Sequence, residues 1–519
     1  MQYPSRLEDV FYGLQKQEPS YRSDFPSDFP FDPGTTSSLF ELNYFPTTSS
    51  WLLFLMPVVI VLLLVLFHRR IKFNVGAMGL LVAMAIVFLG PLRLPPLFLF
   101  NTSLGLVKGI GLLLLLYVCI SHIFKRMPFD YFAAQSFLPL VSFIISLMLS
   151  VFVMTNPDFF LQDFGIFATG ILFYYLGFML FTWKETQRLI HAWAYLLLIP
   201  SGLVLLIFIS RSIGVQLMSF LFPSYENFVF LHDLLRDRVF SVIDFEYFTP
   251  CLVYLSLLSM KKKKFGNTFV TILLTSASFV AILLVNYRYR FLTYMAGFIL
   301  MLFFLKEYRK KILATLGWVF VGLFILYMGA SIVFYRGTII DRFLLRDYYE
   351  DAVSVQRRLV MYQQAWELFL EKPLLGVGLG NYKDNVQIVY SRFGGRTYEP
   401  YYKILQNVYA YPHNWYLTVL AENGIIGFIV LLWLLYTFAA SDIRLWKRLR
   451  GEKLRIFATL SSISWLYIFA NFFTMMHVSL PMVIVFWACR GMIERIYAGV
   501  YTTTRAISGK KLTQLAMAG

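Results

Sequence analysis

Asn414 to Phe438 reads NWYLTVLAENGIIGFIVLLWLLYTF, twenty-five residues with one charge, Glu422. At 1.5 Å per residue such a run makes a helix of about 37 Å, longer than the roughly 30 Å hydrocarbon core of a bilayer. Asn414 suits the cap position before its first turn, where a side-chain oxygen can accept from a free backbone N–H. Whether the chain repeats a run of this kind decides the fold.

It does. Working outward, further apolar runs fall near 51–67, 73–90, 104–122, 132–154, 165–182, 189–210, 240–259, 268–287, 289–305, 312–334, 456–474 and 476–493, about thirteen in all. Over 519 residues the chain is 58% hydrophobic and 14% charged, where soluble domains carry about 25% charged residues. The pattern predicts an all-α polytopic membrane protein of about 12–13 transmembrane helices.

The net charge of +17 would suit a nucleic-acid partner if it lay on one face, but the basic residues sit between membrane-length runs. They mark every second connection: Arg69, Arg70 and Lys72; Lys125 and Arg126; Lys184 and Arg188; Lys261 to Lys264; Lys306 to Lys311; Arg444 to Arg455; and the tail after Arg490. The positive-inside rule puts these in the cytoplasm and leaves 335–413 outside, with the N-terminal tail on the outer side too. The expected division is a polar acidic tail, 1–50, with two SDFP repeats (Ser23 to Pro26, Ser27 to Pro30); a helix bundle, 51–334; an extracytoplasmic loop, 335–413; C-terminal spans, 414–493; and a basic cytoplasmic tail, 494–519. His68, Arg69 and Arg70 after the first run are the wrong flank for signal cleavage, so 51–67 reads as a retained helix. Cys119, Cys251 and Cys489 lie inside apolar runs without metal-ligand spacing, so neither a disulfide framework nor a zinc site follows.

Within the long loop Val355, Leu359, Tyr362, Trp366 and Phe369 recur at helical spacing until Pro373, an apolar stripe that needs cover. The cover is the outer membrane surface or the bundle, or the helix is a mobile lid. The following Pro373 to Tyr382, PLLGVGLGNY, has no preceding strand or βαβ unit, so its glycines read as tight turns and not as a nucleotide loop. Tyr398, Tyr401, Tyr402, Tyr409 and Tyr411 fit either sugar stacking or an interfacial aromatic belt.

Charge near the membrane is costly and marks candidate chemistry. Phe291 to Leu305 is too short to span alone, so Tyr287 to Arg290 is drawn to the outer boundary, with one of Arg288 and Arg290 inward and the other outward. Arg211, Arg236 and Arg238 lie at the same level. Converging guanidiniums bind phosphate oxygens bidentately and so suit a diphosphate, although each arginine alone also fits a headgroup anchor; Lys108 reads as snorkelling. His413, fixed between Pro412 and the Asn414 cap, fits a general base taking a proton from a sugar hydroxyl, or an interfacial histidine bonding a loop carbonyl. His68, His122, His191, His232 and His477 read as boundary residues. Glu422 lies about 12 Å into its helix and on another face from His413, which favours a structural ion pair over a His–carboxylate dyad; Asn423, Gly424 and Gly427 allow close packing or a bend there.

Arg358-Leu359 with Trp366, then PLLGVGLGNY at 373–382, then His413-Asn414-Trp415-Tyr416-Leu417 and Glu422-Asn423-Gly424-Ile425-Ile426-Gly427 together resemble the O-antigen ligase and polymerase family over about 265–440. The resemblance implies a glycosyltransferase of the GT-C type in the bacterial inner membrane. It would move a glycan from an undecaprenyl-diphosphate carrier to a glycan, lipid or protein acceptor on the periplasmic side, without cofactor, nucleotide or metal. Carried over, His413 is the acceptor-activating base. Arg288 or Arg290, with Arg238 and, in competition, Arg211, grips diphosphate; Asn414, Glu422 and Arg358 support. The other readings are a lipid-linked oligosaccharide flippase, disfavoured by the lack of an internal repeat and the one-sided polar residues, and a non-catalytic polysaccharide-binding membrane protein.

Overall fold

A computed structural model describes residues 134–196, 288–310, 348–385, 412–474 and 480–517, together with Leu313, Ala314, Gly317, Val321 and His477. All lie in one compact unit, Phe54–Gly519; the other unit, Met1–Leu53, lies outside the described residues. So do the first three predicted spans, most of the region from 197 to 287, and the tyrosines of 398–411.

Among the described residues there are helices and no strands. They are α1 (Phe137–Leu149), α2 (Pro157–Leu180), α3 (Trp183–Leu196), α4 (Arg288–Phe304), α5 (Tyr348–Glu371), α6 (Trp415–Arg448), α7 (Gly451–Ala470) and α8 (Leu480–Met517). Two of these, α2 and α6, are long and apolar enough to cross a membrane. On α6 the large residues Ile426, Ile429, Leu432, Trp433 and Tyr436 are exposed at helical spacing. An outward apolar stripe this long is what a lipid-facing helix presents. α8 continues to Met517, so most of the predicted tail at 494–519 prolongs a helix.

Caps and small residues set the frame. The Asn156 side chain accepts from the Asp158 N–H at 3.0 Å, with Pro157 in the first turn of α2. α2 and α8 make the most extensive helix pair. A Cβ on Gly177 would fall on the Ala488 carbonyl and one on Gly491 on the Tyr174 carbonyl, so these backbones meet where side chains would keep them apart.

The three described basic connections share one end of the bundle. The Gln187 amide donates to Glu452 at 2.7 Å, Lys453 lies over the Trp183 ring, and Lys306 lies over Trp446, whose indole N–H donates to the Phe304 carbonyl at 3.1 Å. That grouping agrees with the alternation of charge along the chain. Just inside this end Arg490, fully buried, donates to both carboxylate oxygens of Asp442 at 3.0 Å and faces Glu494 at 3.7 Å. Asp442 also accepts from Ser461 at 2.6 Å and Trp465 at 2.8 Å, tying α6, α7 and α8 together.

α4 packs antiparallel on α7, with the Ser462 hydroxyl on the Met301 sulfur and Phe304 against Phe457. With equal rise per residue, that register puts the first turn of α4 level with the turn after α7, at the end away from the basic connections.

α5 corrects the sequence reading. Its buried stripe is Met361, Ala365 and Leu368, the last two joined with Val377, Tyr382 and Ala421 in one small cluster. Leu359 and Trp366 of the expected stripe are exposed. Small Ala365 lets the helix come close to α6 and the glycine loop, and that approach rotates the bulkier stripe away.

Candidate functional site

α6 is broken in its N-terminal third. Gly424 has φ 63° and ψ −165°, a left-handed backbone that glycine adopts without a Cβ penalty. In an unbroken helix the Ile425 and Ile426 N–H groups would bond to the Ala421 and Glu422 carbonyls. Here the loop after α5 takes all four places. The Val377 N–H donates to Ala421 at 3.0 Å and the Gly378 N–H to the Glu422 carbonyl at 2.9 Å; Ile425 donates to Pro373 at 2.8 Å and Ile426 to Leu374 at 3.4 Å. Buried backbone groups left without partners cost heavily in an apolar surrounding, so the loop is a required part of the helix.

Glu422 completes the joint. Its buried carboxylate accepts from the Tyr382 N–H at 3.2 Å, and the Gly380 N–H is a second donor. The sequence suggested an ion pair; among the described residues the carboxylate holds loop backbone instead. The far side of the loop is tied to the α1–α2 connection: Leu379 N–H donates to the Ser150 hydroxyl at 3.1 Å, and the fully buried Asn381 amide oxygen accepts from the Thr155 N–H at 3.1 Å and hydroxyl at 2.9 Å.

On this frame stands His413. Asn414 caps α6 as expected, its side chain accepting from the Leu417 N–H at 3.1 Å, and the Trp415 N–H donates to the Asn471 carbonyl at 2.9 Å. His413 precedes the cap with φ 51°, the only non-glycine residue with positive φ among those described. Such conformations cost of order 1–3 kcal/mol and persist where the surroundings impose them. Burial first, and then the charge of Arg358, lower its imidazole from the ordinary value to about 4, so it is neutral at physiological pH. Arg358 continues the packed stripe of α5 one turn before Met361, which accounts for its approach to His413.

His477, read from sequence as a boundary residue, belongs to the same neighbourhood. Its ring stacks on Trp415 with centroids 6.0 Å apart, its backbone N–H donates to the Asn471 side-chain oxygen at 3.1 Å, and burial lowers its pKa to about 3. It lines a cavity of about 50 Å³ with Asp163, Thr418, Glu422 and Asn423. Among the described residues, neither polar atom of the buried Asn423 amide has a hydrogen-bond partner. The cavity has room for a few waters, not for a sugar diphosphate. Nothing in the sequence signalled His477, because a histidine between two apolar runs is ordinary; only the return of α7 beside α6 brings it to Trp415.

The predicted residues thus divide. His413, Arg358 and Asn414 come together, while Glu422 serves the joint below them. Arg288 and Arg290 open α4 at the same end of the bundle, their side chains lying outside the described residues. Arg211, Arg236, Arg238 and Lys108 also lie outside them.

No curated protein matches the chain. Residues 272–432, which contain α4, α5, the glycine loop, His413 and the broken half of α6, match the family model described as O-antigen ligase. Over that part of the chain, it is similar to O-antigen ligases.

Proposed function

We propose that this membrane glycosyltransferase moves a glycan from an undecaprenyl-diphosphate carrier to an acceptor hydroxyl on the periplasmic face of the inner membrane. The proposal includes a GT-C-type bundle of 12–13 spans and a metal-independent reaction, as an O-antigen ligase or a repeat polymerase. The observation that carries the reading is the placement of a neutral, rigidly held His413 beside Arg358 inside the region that matches the family.

In this mechanism the acceptor hydroxyl attacks the anomeric carbon as its proton passes to His413. The bond from that carbon to the diphosphate oxygen breaks, and the carrier diphosphate departs with the electron pair. Arg288 or Arg290, with Arg238 or Arg211, neutralises the charge gathering on the departing oxygens. An arriving diphosphate offsets the field of Arg358, which raises the basicity of His413 when the donor is in place. Asn414 caps the helix that follows His413, and Glu422 holds the loop between α5 and α6.

The test is transfer by the purified chain in liposomes whose outer leaflet alone is loaded with lipid-linked glycan. Glycan joined to acceptor, without movement between leaflets, supports the enzyme; flipping without joining refutes it.

A further inference from the structure

α5 and the first half of α6 run side by side in the same direction. Ala365 packs with Ala421, and Pro373 accepts from Ile425. α5 therefore descends along α6 from the His413 level toward the lipid-facing stripe that begins at Ile426. Opposite its packed stripe, α5 turns out Leu359, Trp366 and Leu370, and Leu374 follows in the loop; these four are 48–65% exposed. The Leu374 carbonyl accepts from the Ile426 N–H, and Ile426 and Ile429 are exposed as well. An apolar strip thus passes from α6 onto α5 through Leu374, Leu370 and Trp366, with the exposed Gln363–Glu367 pair, 2.9 Å apart, beside it.

A helix that turns Leu359, Trp366 and Leu370 outward is unfavourable in water and favourable in a bilayer, where apolar side chains enter the acyl boundary and tryptophan sits near the headgroups. We propose that the outward face of α5, with Leu374, is a lipid-docking surface, seated in the leaflet at the His413 end of the bundle. It would hold the helix that carries Arg358 at a fixed depth, beside the hydrocarbon in which any lipid-borne substrate travels. The inference stands on geometry alone and holds whether or not the chain transfers glycans.

The experiment uses the full chain with Cys119→Ser, Cys251→Ser and Cys489→Ala, carrying Leu370→Cys or Leu374→Cys labelled with a nitrobenzoxadiazole dye, in phosphatidylethanolamine–phosphatidylglycerol nanodiscs. Brominated acyl chains should lower emission at both positions about twofold or more, as for an interfacial helix. Aqueous iodide should have little effect there and quench the same dye at Lys310→Cys. Iodide quenching at 370 and 374 without a bromolipid effect overturns the proposal. Insensitivity to both quenchers also overturns it, since it means that protein covers the face, and crosslinking between labelled copies would identify that cover as a second copy.

Discussion

The Ile425 N–H donates to the Pro373 carbonyl at 2.8 Å, where an unbroken helix would have it bond to Ala421. Two stretches that look unrelated in sequence, PLLGVGLGNY and ENGIIG, are therefore halves of one joint. The first supplies the backbone partners that the second lacks, and Glu422 fastens the pair.

Gly424→Ala should be among the more damaging small substitutions. Its backbone is left-handed, and the added Cβ would fall on the Leu374 carbonyl. The conformation alone costs roughly 1–3 kcal/mol, before any loss of the four bonds across the joint. Gly499→Ala, with open space beside it on α8, should be neutral or gain up to about 1 kcal/mol. Thermal unfolding of both variants in detergent compares them; equal midpoints would refute the role given to the break.

His413→Ala should retain the lipid-linked donor while transfer falls about 10²–10⁴-fold, the usual scale of general-base assistance. Paired donor-binding and turnover measurements separate the two effects, and a normal product from this variant removes the imidazole from the mechanism.

Arg358→Gln should move the acid limb of the pH–rate profile upward. The positive charge is the second cause of the low His413 pKa, burial being the larger, so removal restores only part of the shift toward the ordinary histidine value. An unmoved limb in kcat/KM across the acid range would show that Arg358 does not act on the ionisation that governs catalysis.

Acid should weaken the fold through the same imidazoles. Unfolded histidines take up a proton near pH 6.5, but His413 and His477 do so in the fold only near about 4 and about 3. Between those limits the unfolded chain binds more protons, so stability is complete above about pH 6.5 and falls as pH is lowered. His477→Gln should flatten that decline in a plot of melting temperature against pH, and an unchanged slope would count against burial of His477.

Arg490→Ala strands two buried carboxyl groups, Asp442 and Glu494, and should cost about 3–5 kcal/mol. Adding Asp442→Asn to Arg490→Ala should recover part of that loss. A double-mutant cycle in detergent unfolding measures the coupling, and strict additivity would mean that the pair is not one unit.

The sequence reads well where physics is local. The run at 289–305 comes within a residue of α4, and Asn414 caps α6 by the rule that singled it out. Boundaries drift where helices outlast their apolar stretch: α2 begins at Pro157 through polar first-turn residues, and α6 and α8 continue past the charges that appeared to end them. The face of α5 is misread because apolar periodicity measures bulk, whereas Ala365 is chosen for closeness. Of the residues proposed for the site, His413, Arg358 and Asn414 are ones the sequence singles out. The site is not legible in His477, Asn423 or the shared joint, which exist only once distant segments meet.

The break in α6 also sets an order of assembly. The loop that mends it is synthesised first and must wait, with Val377 and Gly378 unmated, until the ribosome delivers Ala421 and Glu422. The first turns of α6 cannot mature by themselves, and a nascent chain halted before residue 421 would lack a finished His413 elbow even with α1 to α5 already made.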